Sequence, residues 1–423
     1  MKLLRTAFLA LGLLASPVSA EIVSYYEFPF VDPLEATVIG TPSIYQAELP
    51  EIPFENRQLH VFRGRQVPAL FWYTEALQYG LSRQPGPAPL AFIIPGTGAG
   101  HNSVRTLILQ RTLYKAGFHV VALASSIHPN FIVSASLSRR PGLLAEDAKD
   151  IYRVMGLIRS NLEGSLRITG YHLAGYSLGA AQAAFVAKLD EERGDLDFER
   201  VLLINPPVNL YRSASILDAM FNRNFESVAE FNAFFQRIMS AFSDVYQESD
   251  FVDFGSDFLY EVYKRNPPSE STLEALIGLA FRLTSINLLF TSDVMSNSGI
   301  IVPRGYDPSP TDALTVYFKI ASVFDFADYG REIVYPHYVA TQREISFEQL
   351  VELTSLRTIS DYLASAEKIG LMHNVDDITL EDGDIEYLIE VFGSRAQIYP
   401  KGGHCGNLAF RDNVAHVIDF FTN

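Results

Sequence analysis

Gly175-Tyr176-Ser177-Leu178-Gly179 follows the apolar run Tyr171-His172-Leu173-Ala174 and precedes an alanine-rich stretch from Ala180. The G-x-S-x-G string alone is a weak signal. Between a strand and a helix it describes a tight turn that lifts a serine hydroxyl above the edge of a sheet. Both glycines have a steric reason, because a side chain at either position would strike the facing strand or helix. In such a turn the Leu178 N–H is aimed where negative charge would develop on a bound carbonyl oxygen.

Working outward, several runs are apolar on both faces: Leu90–Ile94, His119–Leu123, Tyr171–Ala174, Val201–Ile204, Lys368–Met372 and Ala396–Tyr399. Runs of this kind suit parallel strands covered by helices on each side. Helical patterns lie between them. Ser103–Ala116 opens on a capping serine and stops at Gly117. Leu144, Ala148, Ile151, Met155 and Ile158 keep helical spacing. Ala180–Leu189 follows the turn, and Asn413–Phe421 closes the chain. The alternation predicts an α/β doubly wound, mostly parallel sheet. Segments around Leu59–Arg63 and Ala69–Tyr73 are expected to add antiparallel strands.

The rhythm breaks after Asn205-Pro206. Residues 207–366 read as helical and irregular, and are expected to form a cap inserted into a sheet domain made of 21–206 and 367–423. Val228, Phe231, Phe235, Ile238 and Phe242 form one stripe behind a capping box of Ser227 and Glu230. Ser271 and Glu274 repeat the device before Leu276, Ile277, Ala280 and Phe281. Such stripes are usually a cap's own core, and the aromatic content also suits an apolar pocket. Asp250-Phe251-Val252-Asp253 matches no calcium-loop spacing and reads as solvated surface.

Residues 1–20 have the pattern of a cleavable secretory signal: Lys2 and Arg5, an apolar run from Phe8 to Leu14, then Val18-Ser19-Ala20. The expected destination is the periplasm or the medium. Thr272–Phe290, the most apolar later stretch, contains Glu274, Arg282 and Asn287, so it reads as a buried helix and not as a span. The single cysteine, Cys405, excludes an intrachain disulfide. The formal charge is −16, or −18 once Lys2 and Arg5 are removed. That balance argues against nucleic acid and anionic membrane surfaces as partners. With 48% hydrophobic residues the chain can bury a large core.

A serine hydroxyl needs a base, and the base needs an acid to fix its tautomer. After a strand-turn-helix serine of this type the acid and then the histidine follow in the chain. Of nine histidines only His404 lies in a late glycine-flanked loop, Gly402-Gly403-His404-Cys405-Gly406. Two carboxylates follow the Lys368–Met372 strand. Asp377 is preferred as the acid because its place three residues after Asn374 resembles the G-x-x-D spacing common in serine hydrolases. Asp376 is the alternative, with hydrogen bonding to loop N–H groups as the role of whichever is left over. The loop Pro95-Gly96-Thr97-Gly98-Ala99-Gly100 follows the Leu90–Ile94 strand. Its glycines allow close backbone approach, so Thr97 N–H is the expected second oxyanion donor beside Leu178. The loop lacks both the P-loop ending and the dinucleotide-site order. His101 reads as a histidine near a helix start.

The turn around Ser177, the Pro-Gly-Thr-Gly loop, the late Asp pair and the Gly-Gly-His loop together resemble the α/β-hydrolase superfamily over residues 60–206 and 367–423. The loop reads Pro-Gly where relatives have His-Gly. The resemblance implies an acyl-enzyme route: Ser177 as nucleophile, His404 as base, Asp377 or Asp376 as its partner, Thr97 and Leu178 as oxyanion donors. It implies no metal or organic cofactor. The expected activity is that of an exported esterase acting on small or lipid-like esters. Thioesterase, peptidase or acyltransferase chemistry and a non-catalytic binding role are the alternatives. Fold alone does not separate these.

Overall fold

A computed structural model describes residues 22–225 and 267–423, with positions 230, 233, 234 and 264 between them. The signal-type segment 1–20, the stripe from Val228 to Phe242 with Ser227, and the Asp250–Asp253 cluster lie outside the described residues.

Eight strands form one sheet: β1 Glu55–Leu59, β2 Leu77–Ser82, β3 Ala88–Ile94, β4 His119–Ala122, β5 Ile168–Tyr176, β6 Phe198–Ile204, β7 Ile369–Asn374 and β8 Ala396–Tyr399. Their spatial order is β1-β2-β4-β3-β5-β6-β7-β8. The β1–β2 and β2–β4 pairs are antiparallel. All pairs from β4 through β3 to β8 are parallel. This order and these directions, with a one-residue turn after β5, make the α/β-hydrolase fold.

The period of two along each strand divides the core. Leu90, Phe92, Ile94, Val121, Leu173, Leu203 and Leu371 face one side. Their chain neighbours Ala91, Ile93, Val120, Ala174, Leu202 and Met372 face the other. The first side is covered by helices α4 (Leu144–Leu162) and α5 (Leu178–Arg193), through Ile151, Met155, Ala183 and Val186. The second is covered by α2 (Val104–Lys115) and the C-terminal helix Arg411–Thr422, through Leu109, Leu113, Val417 and Phe421. Each of the larger side chains among these, fully buried, contributes about 1.5–3 kcal/mol. Burial on both faces is why the strands read as continuous apolar runs. A short helix, α1 (Pro33–Ile39), precedes the sheet. Asp32 caps it by accepting from Leu34 N at 2.7 Å and Glu35 N at 3.2 Å.

Two expectations near the N-terminal edge are corrected. Ala69–Thr74 is a 3₁₀ helix, not a strand. Pro68 supplies its first acceptor, taking Phe71 N at 2.8 Å, and the Thr74 hydroxyl closes the turn on Phe71 O at 2.8 Å. The strands are β1, which ends at Leu59, and β2, which starts at Leu77. Composition misleads here because a bulky run such as Leu70–Tyr73 suits a 3₁₀ turn that buries Leu70 and Phe71 and exposes Trp72 and Tyr73 as well as it suits a strand.

Between β6 and β7 the described residues are helical. α6 (Leu210–Asn224) packs against α7 (Glu270–Ser296), where Gly278 leaves no room for a side chain beside the Phe221 backbone. Short helices follow at Thr315–Ala321, Phe326–Tyr329, Tyr335–Thr341, Phe347–Glu352 and Ser360–Ser365. The cap of α7 is Ser269, which accepts from Thr272 N at 3.3 Å, so the helix starts before the expected Ser271. Among the described residues, α7 is long and apolar enough to cross a membrane. It is spent on the interior instead: Leu288, Leu289 and Phe290 are buried, and Arg282 pairs with Asp218 at 3.0 Å, both buried. Further bonds from Arg282 to Asn222 and Ser322 O satisfy the guanidinium, which a buried charge requires.

Candidate active site

Ser177 is the single residue between β5 and α5, with φ 55° and ψ −130°. A non-glycine residue in this region costs on the order of 1–3 kcal/mol. Its surroundings hold it there. Ser177 N donates to Ile204 O at 2.9 Å, and Ser177 O accepts Ala180 N at 2.9 Å to start α5. The flanking glycines are sterically required. A Cβ at 175 would overlap Gly179 O, and one at 179 would overlap Ile94 O and Pro95 O.

His404 comes from the loop after β8. Its Nε2 lies 2.7 Å from Ser177 Oγ, and its Nδ1 lies 3.0 Å from each Asp377 carboxylate oxygen. A carboxylate can only accept, so Nδ1 carries the proton and Nε2 accepts from the Ser177 hydroxyl. Asp377 is buried after β7 and takes three more bonds: from Asn205 Nδ2 at 2.8 Å, Thr379 Oγ1 at 2.8 Å and Thr379 N at 3.0 Å. Burial alone would raise this carboxyl. The facing His404, with support from His373 and Thr379, outweighs burial and holds it down to about 2. Asp376 points elsewhere. Its two oxygens accept Gly402 N at 3.1 Å and Gly403 N at 2.9 Å. Burial pushes its carboxyl up, and those two N–H groups offset part of the rise.

The histidine loop is held by α1, a helix not expected from the sequence. Gly403 has φ 55°, and a Cβ there would collide with Pro33 O and the Thr37 hydroxyl. His404 N donates to Thr37 Oγ1 at 2.9 Å, and Thr37 Oγ1 donates to Pro33 O at 2.7 Å. From the other side, Asn374 Nδ2 donates to Gly403 O at 2.8 Å. The sequence cue for α1 was Asp32-Pro33, a capping residue followed by proline at the first helical position. Asn205 and Thr379 carry no comparable cue.

Thr97 sits at the second position of a turn closed by Ala99 N donating to Gly96 O at 3.1 Å, with Gly98 at φ 67°. A positive φ at the third position belongs to a type II turn. Gly96 lies against Ser177, where a Cβ would come within 3.0 Å of the serine Cβ. Among the described residues no acceptor takes the N–H of Thr97 or of Leu178. Both residues border a cavity of about 30 Å³ that also touches Ser177 and His404. A wider cleft of about 410 Å³ opens from the same serine between α1, α2 and α6. His101 lines neither. It is buried with its ring stacked on Phe54, centroids 6.2 Å apart.

Chemically, the arrangement offers a hydroxyl whose proton has an acceptor, an imidazole whose tautomer is fixed, and free N–H groups beside both. No protein-family model and no curated protein matches the chain. Solved structures are similar at low identity. An esterase of Pyrococcus furiosus aligns at 10% identity and TM-score 0.43, over 90% of this chain and 96% of its own. The hyperthermophilic esterase of the archaeon Pyrobaculum calidifontis aligns at 17% and 0.40, over 92% and 90%. A thioesterase domain from the curacin biosynthetic pathway aligns at 12% and 0.39, over 88% and 100%.

Proposed function

We propose that this protein is a serine hydrolase of carboxylic esters that works through an acyl-enzyme. The observation that carries the reading is the unbroken line from Ser177 Oγ to His404 Nε2 and from His404 Nδ1 to Asp377. His404 takes the hydroxyl proton as Ser177 attacks the carbonyl carbon. Negative charge collects on the carbonyl oxygen, which Thr97 N–H and Leu178 N–H receive. Such donors typically contribute about 10²–10³ in rate each. The imidazolium then protonates the departing alcohol. Asp377, already ionised, stabilises the imidazolium and accepts no proton. Water repeats the sequence on the acyl-enzyme and frees the acid.

Val38, Ile39, Val104, Ile108, Leu217 and Leu408 give the wider cleft an aliphatic part, which supports an apolar acyl or alkyl group in the substrate. We also infer that residues 207–366 act as a cap over this cleft, since α6 supplies Leu217 to it, and that residues 1–20 direct export. Terminal sequencing of the mature chain would check the last point.

The direct test is labelling with a fluorophosphonate, together with turnover of p-nitrophenyl esters of increasing chain length. Wild type should label once and turn over the esters, and Ser177→Ala should do neither, losing at least about 10⁴ in kcat. A purified wild-type protein that labels nowhere and cleaves no ester would end this reading.

A further inference from the structure

The wider cleft has aliphatic walls from Val38, Ile39, Val104, Ile108, Leu217 and Leu408. One permanent cation interrupts them, Arg105 on the first turn of α2. The other ionisable groups on the lining are engaged or buried. His404 faces Asp377, Tyr176 bonds Thr106 at 3.0 Å, and Cys405 is closed off from solvent. Arg105 is only half-buried, and one of its nitrogens donates to Thr37 O at 3.0 Å. A guanidinium has five donors. Among the described residues no carboxylate pairs with it. Arg105 thus keeps donors free on the cleft wall of a chain whose net charge is −16.

Resting on the reading of Ser177 as the nucleophile, we infer that the cleft takes esters whose apolar chain also carries an anionic group, a carboxylate or a phosphate, and that Arg105 selects it. The planar fork suits both anions bidentately, which lysine cannot copy. The overall negative charge repels such substrates at long range, so their recognition has to be local. The aliphatic walls raise the worth of that one contact by thinning the water around it. Thr37 O fixes one edge of the guanidinium, so its free edge is presented without further loss of side-chain entropy.

The test compares matched substrates, so that a general loss of activity cancels. Mono-p-nitrophenyl suberate is set against p-nitrophenyl octanoate, and octanoylglycerol phosphate against octanoylglycerol. Wild type should prefer the anionic member of at least one pair by roughly 10-fold to 100-fold in kcat/KM. The pair that shows the preference identifies the anion. Arg105→Gln, which keeps a donor for Thr37 O, should bring the ratio toward one, and Arg105→Lys should retain only part of it. A wild-type ratio at or below one in both pairs overturns the inference while leaving ester hydrolysis intact, as does a preference that survives in Arg105→Gln. If no ester is cleaved and the fluorophosphonate does not label, the hydrolase reading has failed separately. Calorimetry on Ser177→Ala with monomethyl suberate against dimethyl suberate then decides. Tighter binding of the monoanion that depends on Arg105 upholds the selection, and equal binding removes it.

Discussion

Asp376 and Asp377 are adjacent in the chain and hold adjacent parts of one loop: Asp377 meets the His404 ring at 3.0 Å, while Asp376 gathers the N–H groups of Gly402 and Gly403 just before it. One carboxylate orients the imidazole and the other fixes the backbone that carries it. Asp377→Asn should therefore lower kcat by about 10⁴, because the amide can reverse the favoured tautomer. Asp376→Asn should cost far less, about tenfold, because its remaining carbonyl oxygen still accepts one of the two N–H groups. Ester turnover by the two variants side by side checks the ranking, and equal losses would contradict it.

The Asp377 carboxyl, held to about 2 against an ordinary 3.8, is ionised throughout any working range. A loss of turnover on mild acidification is therefore not expected to arise from this carboxylate. Stability follows the same shift. A depressed carboxyl contributes in full above its unfolded value, and the contribution disappears as pH falls through the folded one. Between about pH 4 and pH 2 wild type should lose about 2 kcal/mol through this group, and Asp377→Asn should show a flatter profile there. Denaturant titrations across that window measure it.

Thr37→Val keeps the shape of the residue and removes the acceptor of His404 N–H. It leaves that buried donor unpaired, at a cost of about 1–3 kcal/mol. The expected result is a lower thermal midpoint and a several-fold drop in kcat. Thr37→Ser should restore most of both, and a Val variant indistinguishable from wild type would remove α1 from the site.

Gly179→Ala adds one methyl group against Ile94 O and Pro95 O. Overpacking of this kind typically costs about 1–3 kcal/mol, and here the displaced backbone leads directly into Gly96 and Thr97. Calorimetric unfolding should show the destabilisation, and fluorophosphonate labelling should slow by more than the fall in folded protein explains.

Cys405 follows His404 yet is 2% exposed, and burial pushes its thiol up to about 12. It should stay silent towards a thiol reagent at pH 8 in the native protein. One equivalent should react after unfolding in guanidinium. Rapid native labelling would show that the histidine loop opens.

The sheet was legible because its central strands are apolar on both faces and need no knowledge of distant partners. The turn at Ser177 was legible for a related reason, since its glycine requirement arises within five residues. Placing Asp377 beside His404 followed from the Asn374 spacing, and the geometry sets Asp376 against the glycines instead. What escaped reading depends on contacts between remote segments. Thr37 and His404 are 367 positions apart, and nothing around either announces the other. Asn205 and Thr379 are polar residues at strand ends, where such residues are common. The Ala69–Thr74 turn escaped because bulk and hydrophobicity do not separate a 3₁₀ turn from a short strand.

Thr284 of α7 rests on Gly98 so tightly that even a methyl group could not be inserted between them. A larger side chain at position 284 would therefore bear on the Gly98 backbone, and through that turn on the direction in which the Thr97 N–H points.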